Sequence, residues 1–342
     1  MEIGILGLPL SGKSTLFEIM TGVKSHDRYG ESCVRGLATV PDKRFDHLVD
    51  VFQPVKASPA KVLFIDINVA GEGTWNPIRQ NLSGTDGFLH LVDGFSTPHV
   101  QEAVKQYRKL EDELILSDLL IVENRLERLA KMSKKASNPQ DASQGRLLER
   151  LKEQLEGGKT IRERGLTADE IRSLRSFSFL TISPELVIIN TGEENPFTDS
   201  FRTEANTSTP VIGICCAIEK EIASLPPAEQ KEYLSVMGIE EPAFKRIISM
   251  AFSLLGCISF FTVGGDEVKS WVIPAGSKAP KAAGTIHKDF ERGFIKAEVV
   301  SYDDFVTCGN SLAGAKANGK LRLEGKDYIV KDGDIITFRF NV

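Results

Sequence analysis

Few of the usual signs of export, membrane residence or metal storage are present in this 342-residue chain. Its five cysteines, Cys33, Cys215, Cys216, Cys257 and Cys308, are odd in number and contain no C-x-x-C pair. That pattern argues against a disulfide framework or a thiolate zinc site and for reduced thiols in a reducing compartment. No apolar run approaches the ~18 residues that a bilayer span needs, and residues 2–6 open the chain without a basic leader. The expectation is a soluble, cytoplasmic protein with no membrane partner. The five histidines, His26, His47, His90, His99 and His287, are scattered without metal-ligand spacing. A net charge of −5 is too near balance for a polyanion-seeking chain, so a nucleic-acid partner would have to meet a local basic face. There is no DNA-specific motif, internal repeat or low-complexity tract.

What is present is an alternation of short apolar strands and helical patterns. With 41% hydrophobic residues, the chain can bury a sizeable core and should form two or three folding units. Residues 2–6 read as a strand, 7–12 as a loop and 13–21 as a helix stopped by Gly22. Further strands are expected at 62–66, 88–92, 186–190 and 211–215, with helices between several of them. This is the pattern of an α/β domain with a mainly parallel sheet.

The loop carries the strongest motif. Gly7-Leu8-Pro9-Leu10-Ser11-Gly12-Lys13-Ser14 fits G-x-x-x-x-G-K-[ST], in which glycines let backbone N–H groups curl around phosphate oxygens at a helix N-terminus. Gly7, Leu10, Ser11, Gly12, Lys13, Ser14 and Thr15 are the candidate phosphate-binding residues. Lys13 would reach the β- and γ-phosphates and Ser14 would ligate Mg²⁺. Asp66, at the end of the strand Val62-Leu63-Phe64-Ile65, stands where such a protein needs a carboxylate to hold Mg²⁺ through water; a turn cap is the alternative, and the phosphate-loop motif favours the metal role. Asn190-Thr191-Gly192-Glu193 follows the next strand but one, where a base-reading loop belongs. There Asn190 would brace the loops and Glu193 would face the base edge.

Two further regions stand apart. Ile115, Leu119, Val122, Leu126 and Leu129 repeat with spacings of four, three, four and three, the seam of a coiled coil. Residues 133–144, with Asn138-Pro139, break that helix, and Leu148, Leu151 and Leu155 resume a seam on a second one. A projecting helical hairpin is expected. Its basic residues (Lys131, Lys134, Lys135, Arg146, Arg150, Lys152) are interleaved with Glu, which fits either a solvated face or an RNA-binding stripe. From about residue 256 the texture changes to short Gly-punctuated strands at 259–263, 270–273, 294–300, 328–330 and 335–340, a separate α+β or β-rich module.

Taken with the phosphate loop and the N-x-x-E loop, two stretches carry a family resemblance. One is Glu113-Leu114-Ile115-Leu116-Ser117-Asp118-Leu119 running into Val122-Glu123-Asn124-Arg125-Leu126. The other is the tail, Gly284-Thr285-Ile286-His287-Lys288-Asp289-Phe290-Glu291-Arg292-Gly293-Phe294-Ile295, then Tyr302-Asp303-Asp304, Gly325-Lys326-Asp327-Tyr328 and Asp332-Gly333-Asp334. In this order they resemble the YchF/Obg-like ATPase family over nearly the whole chain. The resemblance implies a G-protein-like P-loop NTPase domain over 1–256 with a helical arm inserted at about 98–180. It also implies a TGS domain of ubiquitin-like β-grasp fold over 257–342. It implies Mg²⁺ and ATP as ligands, since N-x-x-E replaces the N-K-x-D guanine loop, with GTP as the alternative. A ribosomal partner, RNA or protein, would be met by the arm and the TGS module.

Departures from the family pattern bear on mechanism. Asp66-Ile67-Asn68-Val69-Ala70-Gly71-Glu72-Gly73 lacks the switch II glycine and is shortened, and Val69 would have to supply the backbone N–H near the γ-phosphate. The switch I threonine has no clear counterpart between Tyr29 and Thr39; Ser32 is the favoured Mg²⁺ hydroxyl. Cys215-Cys216-Ala217 stands in place of the base-flanking Ser/Cys-Ala-Lys loop, so Cys215 and Cys216 would line the base without the lysine. Those adjacent thiols are either redox-sensitive or simply buried. Asn68 is a polar candidate near the γ-phosphate or a turn former, and His287 reads as structural. No residue is an obvious general base, which implies slow hydrolysis. The expected function is a Mg²⁺-dependent ATPase that switches affinity for a translation-related partner, the alternative being a nucleotide-binding scaffold.

Overall fold

The computed structural model describes residues 1–24, 33–67, 75–96, 99–133, 139–192 and 197–341. They form two compact units, Met1–Leu37 with Leu63–Ile247, and Ala38–Val62 with Ile248–Val342. Among the described residues, no helix is long and apolar enough to cross a membrane.

The first unit is built on a six-stranded sheet. Its strands are β1 (Glu2–Gly7), β2 (Cys33–Thr39), β4 (Lys61–Ile67), β5 (Gly87–Gly94), β6 (Glu185–Thr191) and β7 (Val211–Ile214), in the order β2-β4-β1-β5-β6-β7; β3 (Lys56–Ser58) belongs to the second unit. The pairs β1–β4, β1–β5, β5–β6 and β6–β7 are parallel. Ile3, Ile5, Phe64, Ile65, Leu89, Leu91, Val187 and Ile189 are all buried. That is why these strands read as unbroken apolar runs: helices cover both faces of a parallel sheet. The edge strand β2 instead alternates buried and exposed residues. Helices α1 (Lys13–Thr21), α3 (Trp75–Leu82), α7 (Thr198–Ala205), α8 (Cys216–Ser224), α9 (Pro227–Val236) and the start of α10 (Ala243–Leu254) complete the unit; α2 (Lys43–Phe52) belongs to the second one.

The arm leaves the sheet after β5. Helix α4 (Val100–Ser133) runs 34 residues and α5 (Pro139–Glu156) runs 18, the second opening on a proline, whose missing N–H costs nothing at a first helical position. Ile115, Val122 and Leu129 bury against Leu148, Leu151 and Leu155, with Leu119 and Leu126 packed beside them. On the solvent side Lys131 pairs with Glu127, Arg150 with Glu170 and Lys152 with Glu123, so half of the basic residues named above are already met by carboxylates. The chain returns through a 3₁₀ turn, Ile161–Arg164, and α6 (Ala168–Leu174) before β6.

The second unit holds a mixed sheet in the order β11-β10-β12-β8-β9-β3, made of β8 (Cys257–Thr262), β9 (Glu267–Pro274), β10 (Phe294–Ser301), β11 (Arg322–Glu324), β12 (Asp334–Phe340) and β3. Helix α11 (Ala279–Ile286) lays Ala279, Ala282 and Ala283 on one face against Phe260, Phe294 and Val299, a β-grasp arrangement; α12 (Lys288–Arg292) follows it. The other face is covered by Phe305 of α13 (Tyr302–Thr307), Ala315 of α14 (Leu312–Ala317), and Phe45 and Leu48 of α2. Arg44 anchors α2 by bonding Asp42 and Asp332. Residues 328–330, expected as a strand, make only an isolated bridge, Lys278 with Ile329. The Tyr328 hydroxyl donates to Asp334, which also accepts from the Lys331 N–H, and this holds the segment as a turn; the strand between β10 and β12 in the chain is instead β11, Arg322–Glu324.

Candidate functional site

The C-terminal ends of β1, β4, β6 and β7 carry the candidate residues, as the crevice at strand ends does in open parallel sheets. Between β1 and α1 the chain makes the tight loop that the glycines require. Gly12 has φ 98° and caps α1, and a Cβ there would lie 2.6 Å from Asn190 Nδ2. A Cβ on Gly7 would run into the Leu91 carbonyl oxygen of β5 and lie 2.7 Å from Ser11 Oγ. Leu10 holds the left-handed conformation at φ 67° and is 97% exposed, a strain of about 1–2 kcal/mol for a residue with a Cβ, carried at the loop's tip. Ser11 is fully buried with no hydrogen-bond partner for its Oγ among the described residues.

Lys13 turns back over this loop, its Nζ donating to the carbonyls of Gly7 (3.0 Å) and Leu8 (2.9 Å). Burial lowers its pKa and the Asp66 carboxylate opposes that shift. Asp66 is itself fully buried and stands beside Ile5 in the β1–β4 register, two residues before Gly7. Ser14 and Thr15 sit half-buried in the first turn of α1. A hydroxyl and a carboxylate are hard oxygen donors of the kind Mg²⁺ selects, so this donor set fits that ion.

On the far side of the loop Asn190 joins three segments. Its Nδ2 donates to the Ser11 carbonyl (3.1 Å), and its Oδ1 accepts from the backbone N–H of Cys216 (3.1 Å), the first residue of α8. Thr191 is buried and donates to the Ile214 carbonyl (3.5 Å). Cys215 is half-buried, while burial pushes the Cys216 thiol up to about 12, which leaves it protonated and unreactive near neutrality. An open cavity of about 360 Å³ lies against Thr191 and Cys215, lined also by Thr198, Asp199, Arg202 and Arg246. The structure thus brings together Gly7, Leu10, Ser11, Gly12, Lys13, Ser14, Thr15, Asn190 and Cys216. Glu193, Ser32, Asn68 and Val69 lie outside the described residues.

Sequence reading missed a second polar centre. His90, Glu111, Arg162 and Glu185 meet below the arm, and His90 had seemed one of several scattered histidines. An acidic residue opening an otherwise apolar strand, Glu185 before Leu186, was the available signal.

A glycine-built loop with the G-x-x-x-x-G-K-[ST] pattern between a strand and a helix, a buried carboxylate on the neighbouring parallel strand and an asparagine brace from the end of β6 define a P-loop NTPase of the G-protein-like class. Comparison with known proteins narrows this. Residues 257–341 match the family model YchF-GTPase_C, described as a protein of unknown function (DUF933). Over its full length the chain is 40% identical to the ribosome-binding ATPase YchF of Pasteurella multocida, covering 99% of that protein. It is 36% identical to the ribosome-binding ATPase YchF of Bacillus subtilis, also at full coverage of both chains, and 36% identical to Obg-like ATPase 1 of Oryza sativa subsp. japonica, covering 92% of it. The structure of the Schizosaccharomyces pombe YchF GTPase superposes with a TM-score of 0.87 at 26% identity, over 99% of this chain and 97% of that one. The chain belongs to the YchF/Obg-like ATPase family.

Proposed function

We propose that this protein binds ATP with Mg²⁺, hydrolyses it slowly, and couples the nucleotide state to an interaction with the ribosome in the cytoplasm. The observation that carries the reading is the loop from Gly7 to Ser14, whose two glycines fill places no side chain could occupy and whose lysine is buried against the loop's own carbonyls. The first backbone N–H groups of α1 would meet the phosphates at the helix N-terminus, where the helix dipole favours negative charge. Lys13 neutralises the β- and γ-phosphates. Ser14, with Asp66 through water and Ser32 from the preceding switch, would hold the metal. Mg²⁺, when bound with the nucleotide, offsets the charge that builds on the phosphate oxygens. Asn190 keeps the phosphate loop and the base loop in register, and Thr191, Glu193, Cys215 and Cys216 surround the base.

We assign nucleotide binding to residues 1–256, with the inserted arm at about 98–180, and partner contacts to that arm and to the TGS domain from 257 onward. The names of the Pasteurella and Bacillus relatives, ribosome-binding ATPases, support ATP and the ribosome; the fission-yeast protein, titled a GTPase, makes GTP the competitor to test. Equilibrium titration with ATP, GTP and their non-hydrolysable analogues in Mg²⁺ distinguishes them. ATP should bind more tightly, and clear preference for GTP would overturn the base assignment.

A further inference from the structure

The polar centre under the arm lies outside the nucleotide site and joins four separate segments. Arg162, in the turn that ends the arm, reaches Glu111 of α4 with Nη2 at 2.6 Å and Glu185 at the start of β6 with the same nitrogen. Its Nη1 donates to the carbonyls of Thr181 and Ser183 (3.5 and 3.4 Å), and its guanidinium lies over the Phe88 ring of β5. His90 of β5 meets Glu185 through Nδ1 at 2.7 Å, and the Tyr107 ring of α4 packs on the histidine with centroids 4.9 Å apart. Glu185, His90 and Glu111 are 1%, 2% and 4% exposed. The potential ligand atoms of those three residues lie within 4.8 Å of one another, but the guanidinium already bridges the two carboxylates, so the cluster is organised around an arginine rather than a metal ion.

Its charge does not balance as drawn. Two carboxylates and one guanidinium leave one uncompensated negative charge in a buried site, which is strongly disfavoured. One proton on the Glu111 carboxyl removes it. Among the described residues, the titratable and charged groups facing the site are those already named: Tyr107 and Glu111 from α4, His90 from β5, Glu185 from β6 and Arg162 from the returning turn.

We propose that the root of the arm is a proton-dependent clamp: the cluster holds one proton while α4 and the turn Ile161–Arg164 are seated on β5 and β6, and the seat loosens when that proton leaves. Burial, and after it the neighbouring Glu185 carboxylate, push Glu111 up to about 7 from its usual 4.5. Against burial, Arg162 and His90 keep Glu185 below the usual carboxylate range. A raised value for the seated state means that the proton's contribution is complete below about 4.5 and is lost as pH climbs through about 7. Glu185 acts with the opposite sign and only in acid, so it does not contribute between pH 6 and 8.

The test is amide hydrogen exchange of the full chain at pH 6, 7 and 8, corrected for intrinsic exchange. If opening exposes Glu111 to water, protection across 161–164 and 185–188 falls about tenfold between pH 6 and 8 and levels off above that. Amides of the arm's own core, 147–155, hold constant. In Glu111→Gln, which keeps the shape without the charge, protection at the root becomes independent of pH. A wild-type root with no such fall, or a Glu111→Gln root that retains it, overturns the clamp. Should that variant not fold, carboxyl-carbon NMR of the wild-type chain decides instead. One glutamate must titrate near 7, and the absence of any glutamate titrating above pH 6 overturns the proposal.

Discussion

Replacing Asn190 by alanine removes a side chain that ties the loop at Ser11 to the start of α8. Two hydrogen bonds of 3.1 Å are lost, leaving the Ser11 carbonyl and the Cys216 N–H to find other partners. A hydrogen bond contributes about 0.5–1.5 kcal/mol net, and stranding a buried partner costs about 1–3 kcal/mol. The site is half-buried, so water repairs part of the damage, and the expected loss of folding stability is about 2 kcal/mol. If half of that reappears as the cost of ordering the loops around ATP, affinity falls about fivefold, since 1.4 kcal/mol is tenfold. Asn190→Asp is the informative companion. It retains an acceptor for Cys216 but sets a carboxylate against the Ser11 carbonyl, so it should bind ATP no better than the alanine variant. Urea denaturation gives the stability change, and calorimetric titration with a non-hydrolysable ATP analogue gives the affinity. An Asn190→Ala protein with wild-type stability and affinity would refute the brace.

Other outcomes follow from the packing. Leu151 is fully buried in the arm's seam, so Leu151→Ala should destabilise the arm by about 2–5 kcal/mol, seen as faster exchange of amides in 139–156 while ATP affinity is unchanged. Native protein treated with iodoacetamide at pH 8 should be spared at Cys216, whose thiol burial holds at about 12, and modified there only after unfolding; peptide mass mapping reads the difference. Lys13→Ala should abolish binding of ATP analogues with Mg²⁺ while leaving the far-ultraviolet circular dichroism unchanged, and equal binding by the variant would remove the phosphate-loop assignment.

The parts of this molecule that were legible in the sequence are those fixed by local chemistry. Gly7 and Gly12 announce their loop because only glycine fits there, and the seam from Ile115 to Leu129 announces a helix pair because its spacing leaves an apolar stripe that needs a partner. Parallel strands such as β5 and β6 show as apolar runs because both faces are covered. What did not show depends on choices between distant segments. Phe45 and Leu48 make α2 amphipathic, but nothing local says that they cover the second face of the C-terminal sheet rather than the parallel one. Strand β11 has three residues, too few for a period to register. The cluster under the arm joins positions up to 95 apart in sequence, His90 with Glu185, and exists only once the β5–β6 register sets Phe88 opposite Glu185. Within the candidate site the same division holds: the phosphate loop is one contiguous motif, whereas the Asn190 contacts to Ser11 and Cys216 need three strands in order before they can form.

Phosphate release from Mg²⁺–ATP by the purified full-length protein, with and without ribosomes and with Lys13→Ala as control, bears most directly on the central claim. Slow release from ATP that needs Mg²⁺, rises with ribosomes and disappears in the variant is the predicted result. No release under either condition, or release unaffected by Lys13→Ala, would contradict it.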